Sequence, residues 1–296
     1  MTATATLPPK ATPVKLARRR RKIRLMPWLP LAVLGIVLIA AIFAPWLTDH
    51  DPLRSDLANS LEPPAWQEDG SSTYLLGTDG FGRDVLTRLI YGARISVSVA
   101  ALSLLIAVVI GSVIGVTAGY LGGWIDSVLM RLVDILLAFP TILVALVVSV
   151  AVGPSFQNLV LVLGVLNSPR IARIVRGETL MLKGNDYARY SAAIGVPRRV
   201  IVRRHIFPNV LPTLTVATTL EVGQVILAEA SLSFLGAGLP PPTASWGVMI
   251  SEGRALIATG WWVALFPGIA ITITVLACNS LGDWLRDHLD PKTRQV

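Results

Sequence analysis

The chain has 296 residues, of which 53% are hydrophobic and only 15% are charged, against about 25% charged in a typical soluble domain. This composition excludes an intrinsically disordered protein and argues against an ordinary soluble enzyme. Several apolar runs reach the roughly 20 residues that a helix needs to cross a bilayer. Since a helix satisfies its backbone polar groups internally, the sequence predicts an all-α membrane protein. The net charge of +8 is better explained by membrane topology than by nucleic-acid binding, because most aromatic residues lie in or beside the apolar runs.

The N-terminal part of the chain combines a basic tail with one apolar run. Residues 1–26 are polar and end in a basic block, so we expect a disordered cytoplasmic tail. The block could bind anionic lipid, although a topology signal alone is the simpler interpretation. Residues 27–47 exceed the ~7–15 apolar residues of a signal peptide, which predicts an uncleaved first helix. With the turn-rich extracytoplasmic segment 48–92, this helix forms a unit over residues 27–92.

Further apolar runs predict five more membrane spans, six in all. They cover residues 93–118, 127–150, 157–176, 207–236 and 261–282. Six spans place both termini on one side of the membrane. Lys and Arg number 8 in the N-terminal tail, 9 in residues 170–205 and 3 at the C-terminus, against 5 on the opposite side. By the positive-inside rule, the termini and the loop 177–206 are cytoplasmic. We expect a five-helix core over 93–285 and a cytoplasmic tail over 286–296.

Four glycines in the second span follow a four-residue spacing. Gly111, Gly115 and Gly119 form the series, and Gly123 continues it. Residues four apart lie on one face of a helix, and glycines there let a neighbouring helix approach closely. The stripe therefore predicts helix packing and indicates nothing about a substrate.

The residues that an enzyme would need are missing from the sequence. The three histidines are far apart, without Cys or His neighbours at metal-ligand spacing, and no Gly-Lys pair exists for a phosphate loop. The single cysteine, Cys278, lies in an apolar run and is expected to serve packing. We expect no ATPase site, no metal site and no cofactor in this chain. If it transports a solute, the energy comes from an ion gradient or from a partner subunit.

The segment 183–208 is typical of a short helix with a defined start and end. Asn185 or Asp186 can accept backbone N–H bonds at its start. Gly195 suits the left-handed position after its end, and Pro197 prevents continuation. Such a helix can dock in a groove of another protein or lie on lipid, and the pattern leaves both open.

Polar residues inside the apolar runs are candidates for a translocation path. Glu221 and Gln224 lie on neighbouring positions of the fifth span, and Glu229 follows. Ionisable groups in hydrocarbon usually face a cavity or a partner, so these residues could line a path for a polar solute. A structural hydrogen bond to another helix is the alternative for each of them, and for Asp134 it is the preferred one.

Two further predictions concern the segment before the second span and the tryptophans near the last span. Asp84 and Arg88 have the spacing of an i,i+4 ion pair on a surface helix, and we favour that interpretation over a docking site for another protein. Trp246, Trp261 and Trp262 are read first as interfacial anchors.

Beyond these patterns, the loop resembles the EAA loop of ABC importer permeases, E-A-A-x-x-x-G-x9-I-x-L-P. Gly195 and Pro208 occupy the glycine and the final proline of that pattern, while Arg189, Tyr190 and Ser191 replace E-A-A. Residues 20–292 are similar to the C-type permease of the dipeptide/oligopeptide/nickel branch. The segments that carry this likeness are 76–96, 119–140, 231–247 and 281–291.

The resemblance implies a type I ABC importer permease fold in the plasma (cell inner) membrane. It implies half of the translocation path for short peptides, with alternating access driven by ATP and Mg in two ATPase subunits or domains. A homologous B-type permease and an extracytoplasmic solute-binding protein would complete the complex. Nickel or another chelated solute is the alternative cargo, and an ion-gradient transporter is the rival class. The residues expected to couple to the ATPase are Tyr187, Tyr190, Ala193, Ile194, Gly195, Val196, Arg198 and Arg199.

Overall fold

The computed structural model describes residues 27–289, and the regular elements in that range are helices. The membrane-length or paired helices are α1 Trp28–Leu47, α2 Val85–Leu121, α3 Gly123–Ala138, α4 Thr141–Val152, α5 Phe156–Gly184, α8 Phe207–Phe234 and α10 Trp262–Leu289. The short ones are α6 Asp186–Ala193, α7 Arg198–Ile201 and α9 Trp246–Gly253. A π-helical turn, Val202–Ile206, joins α7 to α8. The predicted basic tail 1–26 and the last residues, 290–296, lie outside the described residues.

Five stretches are long and apolar enough to cross a membrane: α1, α2, α5, α10 and the continuous stretch Arg198–Phe234. The pair α3 and α4 passes the same test only together, with a bend of 88° between them. The described residues therefore hold five candidate spans, or six if the bent pair counts as one.

The predicted third span, 127–150, is thus broken in the structure. The break lies at Phe139 and Pro140, where Phe139 has an extended backbone with φ −97° and ψ 145°. A proline disfavours the helical conformation of the residue before it, which ends α3 at Ala138. Pro140 then precedes the first turn of α4.

The second span begins earlier than predicted. Asp84 is the N-cap of α2, and its carboxylate accepts hydrogen bonds from the backbone N–H groups of Leu86 and Thr87. A capped start satisfies amide groups that have no partner within the helix. Residues 85–92, assigned to a turn-rich segment from the sequence, are therefore the first turns of a 37-residue helix.

The helices α2 and α5 form the central pair of the bundle, and the glycine stripe lies between them. A Cβ atom added at Gly111 would lie 2.7 Å from the Cβ of Ile171, and one added at Gly119 would lie 2.8 Å from that of Thr179. The predicted packing role is confirmed for Gly111, Gly115 and Gly119. It is wrong for Gly123, which starts α3 with φ +60° and has open space around it.

The two ends of the bundle differ in structure. We call the end with residues 48–84 and α9 the loop end, and the end with residues 183–206 the arginine-rich end. At the loop end, Trp246 donates from Nε1 to the carbonyl of Leu89 at 3.0 Å, and Trp262 donates to that of Thr78 at 2.9 Å. Both tryptophans are buried, at 2% and 4% exposure. Their predicted role as interfacial anchors is wrong, since Trp246 fastens α9 to the start of α2 and Trp262 fastens α10 to the segment before α2.

Candidate functional site

The short helix α6 follows α5 at the arginine-rich end, with only Asn185 between them. Asn185 occupies the N-cap position but its side chain makes no cap hydrogen bond, so the predicted side-chain cap is absent. Asp186 lies in the first turn, where the helix dipole favours a carboxylate. The start of α6 is therefore set by a change of backbone direction at Asn185, which has ψ 147°.

The end of α6 has the hydrogen bonds of a Schellman motif. The N–H of Gly195 donates to the carbonyl of Ala192 at 3.1 Å, and the N–H of Val196 donates to that of Ser191 at 3.0 Å. Gly195 has φ +83°, and a Cβ atom there would meet nothing within 4 Å. The glycine is thus required by its left-handed backbone and not by crowding.

The apolar side of α6 points away from the bundle. Tyr190 is 71% exposed and Ile194 is 80% exposed, whereas Ala188 is buried against the rest of the protein. Tyr187 is partly exposed and its ring lies 6.0 Å from that of His205. Large apolar side chains exposed together mark a surface that another molecule covers.

The remaining predicted coupling residues divide into two groups. Ala193 is exposed, while Val196 is half-buried and packs on the apolar cluster of α2, α5 and α8. Arg198 and Arg199 are exposed, and within residues 27–289 their side chains make no hydrogen bond or ion pair, although their backbone carbonyls accept from the N–H of Val202. Their guanidinium groups are free for an acidic partner.

The structure separates the three predicted path residues. The side chain of Glu221 is 14% exposed, and its Oε1 lies 3.6 Å from Nη1 of Arg170. Its Oε2 is buried and has no hydrogen-bond partner among the described residues. Gln224 is exposed on the same helix. Glu221 and Gln224 therefore lie near an accessible face of α8.

Glu229 lies elsewhere, in the interior of the subunit. It is fully buried, and its carboxylate accepts hydrogen bonds from Ser96 at 3.1 Å, Ser233 at 2.9 Å and Ser245 at 3.0 Å. Ser245 is also the N-cap of α9. The carboxylate thus connects α8 with α2 and α9, which gives no support to a place in the translocation path.

A buried ionic network holds the loop end together. Arg83 and Arg88 each contact the carboxylates of Asp79 and Glu252, at distances from 2.6 to 2.9 Å. Both arginines are at most 4% exposed. The predicted pair between Asp84 and Arg88 on a surface helix is wrong, because Asp84 caps α2 and Arg88 is buried against partners from other segments.

Three ion pairs made by α5 were not identified from the sequence, although the preferred interpretation of Asp134, a structural hydrogen bond to another helix, is confirmed by its bond from Arg173. Arg170, Arg173 and Arg176 recur every three residues and lie along one side of this helix. They contact, in that order, Glu221 of α8, Asp134 of α3 and Asp126 of α3. The spacing of the arginines was visible in the sequence, but their partners are 39 to 51 positions away along the chain. Within residues 27–289, no group of three or more His, Cys, Asp and Glu is placed to hold a metal ion.

Comparisons with known proteins give a consistent result. Residues 111–295 match the family described as binding-protein-dependent transport system inner membrane component. Residues 12–64 match the N-terminal TM domain of oligopeptide transport permease C.

Individual relatives match most of the chain. A protein of Brucella suis is 42% identical, over 96% of this chain and 93% of its own. Dipeptide transport system permease proteins DppC of Haemophilus influenzae and Bacillus subtilis are each 40% identical; they cover 88% and 94% of this chain, and the match spans 88% and 86% of their own lengths. A crystal structure of an amino acid ABC transporter has a TM-score of 0.49 and 17% identity, over 71% of this chain and 95% of that one.

Proposed function

Because the chain belongs to the family of binding-protein-dependent transport system inner membrane components, we propose that it is the transmembrane permease subunit of an ATP-driven importer of short peptides. The DppC relatives carry dipeptide transport in their names and match nearly the full chain. This favours peptides over nickel or another chelated solute. The family also favours an ATP-driven importer over an ion-gradient transporter.

The assembly that this function requires has four kinds of subunit. The chain pairs with a homologous permease, two ATPase subunits or domains bind ATP and Mg, and an extracytoplasmic protein delivers the peptide. This chain itself hydrolyses no ATP. It spans the plasma (inner) membrane with the arginine-rich end and both termini in the cytoplasm, since Lys and Arg are concentrated at that end. Residues 93–285 form the core shared between the permeases, and 27–92 add the first span and its outer segment.

The observation that carries the proposal is the exposed apolar side of α6. Tyr190 and Ile194 project from a helix that follows the end of a 29-residue span, α5. A small amphipathic helix of this kind suits a hydrophobic groove on a partner protein. The ATPase would receive α6, and Arg198 and Arg199 would pair with acidic groups at the rim of the groove. Nucleotide-driven motion of the ATPase then moves α6, and with it α5.

Glu221 and Gln224 are the residues that we propose for the path. They lie three apart on α8 and are partly or fully accessible, so a carboxylate and an amide face the same region. The carboxylate of Glu221 suits the N-terminal ammonium group of a peptide, and Gln224 suits its backbone groups. We assign Glu229 a structural role.

The test is the binding of the purified ATPase subunits to the permease pair. Tyr190→Asp and Ile194→Asp place a charge on the docking side of α6, and we expect each to weaken ATPase binding by roughly tenfold or more, as for hot-spot residues of an interface. Leu57→Asp is the matched control, because Leu57 is 72% exposed at the opposite end of the protein. Unchanged binding in both α6 variants would rule out α6 as the docking element.

A further inference from the structure

The helix α3 has an unusual backbone at both of its ends. It begins after Gly122 and Gly123, which have φ +69° and φ +60° and no neighbouring atoms within 4 Å of a Cβ position. It ends at the break before α4, where the chain turns by 88°. Glycine adopts φ values of either sign, so Gly122 and Gly123 place few steric limits on the direction of α3. The two ends are therefore points at which α3 can rotate as a unit.

Apolar packing contributes little to the position of α3. Val133 is the one fully buried residue of this helix. Its large apolar side chains are mostly exposed, among them Trp124, Leu132 and Ile135. In a membrane, such exposure carries no penalty, because lipid tails are as apolar as the side chains. Polar contacts therefore decide where α3 lies relative to the bundle.

Two of those contacts come from α5. Arg176 contacts Asp126 with both Nε and Nη2, and Nη2 of Arg173 contacts Asp134 Oδ1 at 2.6 Å. The side chains of Arg173 and Asp134 are more than half exposed. Ion pairs as accessible as this one contribute little to stability and can exchange with water or other partners. The pair of Arg173 and Asp134 can therefore hold α3 in one position and still release it.

The same side of α5 also contacts α8. Arg170 lies 3.6 Å from Glu221, a residue proposed for the translocation path. At its other end, α5 leads through Asn185 into α6, the proposed docking helix. The three arginines therefore stand on a helix that leads directly into α6 and contacts both α3 and α8.

We propose that Arg170, Arg173 and Arg176 are positioning residues for transport, which latch α3 and α8 to α5 in this conformation and release α3 when α6 is displaced. This inference rests on the proposed function. An effector can shift a conformational equilibrium only through contacts that differ between the two states. The ion pairs of α3 are such contacts, because the backbone at both ends of α3 permits a second position. The interlocked glycines between α2 and α5, by contrast, keep that pair together.

A charge exchange tests the latch in the assembled, vesicle-reconstituted complex. Arg173→Asp and Asp134→Arg each place two like charges together, and we expect each to lower the number of dipeptides taken up per ATP hydrolysed by roughly five- to tenfold, the size of a typical coupling between sites. The double variant restores the pair and should recover most of that ratio. Arg94→Asp is the control, since Arg94 is an exposed arginine of α2 near the loop end. Unchanged ratios in the single variants, or no recovery in the double variant, would overturn the latch.

A distance measurement tests the movement of α3 independently of which solute the complex carries. In a Cys278→Ser background, spin labels at Val128→Cys of α3 and Leu180→Cys of α5 should change separation when ATP and Mg are added. Both positions are exposed, at 48% and 41%. Control labels at Leu102→Cys of α2 and Leu161→Cys of α5, which are exposed at 43% and 53%, should keep the same separation when ATP and Mg are added. A fixed distance between α3 and α5 would show that α3 does not move, whichever solute is carried. A wild-type complex that takes up no dipeptide, yet shows the α3 movement, would overturn the proposed cargo and leave the latch standing.

Discussion

The carboxylate of Glu229 accepts a hydrogen bond from the hydroxyl of Ser245 at 3.0 Å, and this contact joins α8 to the residue that caps α9. Ser96 and Ser233 donate to the same carboxylate. A buried acidic group with three hydroxyl donors fixes the relative positions of three helices. It is a polar crosslink within one subunit, near the loop end.

Replacing Glu229 should therefore destabilise the subunit. Glu229→Ala leaves three buried hydroxyl groups without their acceptor, at a cost of about 1–3 kcal/mol for each group that finds no other partner. Glu229→Gln keeps an acceptor and should cost less. Thermal unfolding of the purified permease pair measures both. Gln224→Ala, on the exposed side of the same helix, is the control and should leave the midpoint unchanged. A stable Glu229→Gln variant that transports no peptide would instead indicate a role in the path.

The glycine stripe should not tolerate side chains. A Cβ atom at Gly115 would lie 2.6 Å from the carbonyl oxygen of Ala172 and 2.8 Å from the Cβ of Val175. Since these neighbours are backbone and branched carbon atoms, α2 and α5 must separate to admit it. We expect Gly115→Ala to lower the free energy of unfolding by about 1–3 kcal/mol, as for overpacked cores. Gly177→Ala is the matched change on α5. An added Cβ atom there would meet no neighbouring atom within 4 Å, so this substitution should be neutral or stabilising. Equal unfolding midpoints for the two variants would contradict the packing role.

At Gly195 the expected defect is in coupling. Gly195→Ala meets no clash, but it forces a residue with a side chain into φ +83°, a cost of about 1–2 kcal/mol. The end of α6 should relax to another backbone conformation and alter how Tyr190 and Ile194 are presented. ATP hydrolysis by the assembled complex should then become less dependent on peptide and binding protein, while the unfolding midpoint of the permease changes little. Normal peptide-dependent hydrolysis in this variant would show that the shape of this turn is unimportant.

The ionic network at the loop end gives a prediction for local order. Arg88→Met removes one cation from between Asp79 and Glu252, which are 2% and 17% exposed. Breaking a buried ion pair in this way costs about 3–5 kcal/mol, because the remaining charges stay buried. Residues 48–84 should lose the tie to α2 that Arg88 provides, keep only the contact of Arg83 with Glu252 of α9, and become more sensitive to protease in vesicles that expose this end of the protein. Arg54→Met, a change of an exposed arginine in the same segment, is the control. If both variants resist protease equally, the network is dispensable for holding this segment.

The features that the sequence predicted well depend on neighbours along the chain. Apolar runs predicted five of the spans, and a four-residue glycine spacing predicted the contact face of α2. A glycine and a proline predicted the end of α6. Each of these follows from local helix geometry or backbone preference. The exposed apolar side of α6 could be anticipated for the same reason, since Tyr190 and Ile194 are four residues apart and lie on one face of the helix.

Pairings between distant segments were decided only in three dimensions. Asp84 and Arg88 have the spacing of an i,i+4 ion pair, yet Arg88 forms its ion pairs with Asp79 and Glu252. The partner of Arg173 is Asp134, which lies 39 positions away along the chain. Trp246 and Trp262 are buried, although the sequence pattern favours a position at the membrane–water interface. A charge or an indole N–H needs a partner, and the sequence cannot say which of many candidates the fold brings within 3 Å. The composition and local spacing of this chain thus determined that it is a bundle of membrane-length helices with a short, defined helix between two of them. Its tertiary packing determined which polar groups hold those helices together, because such partners are chosen by proximity in space and not by position along the chain.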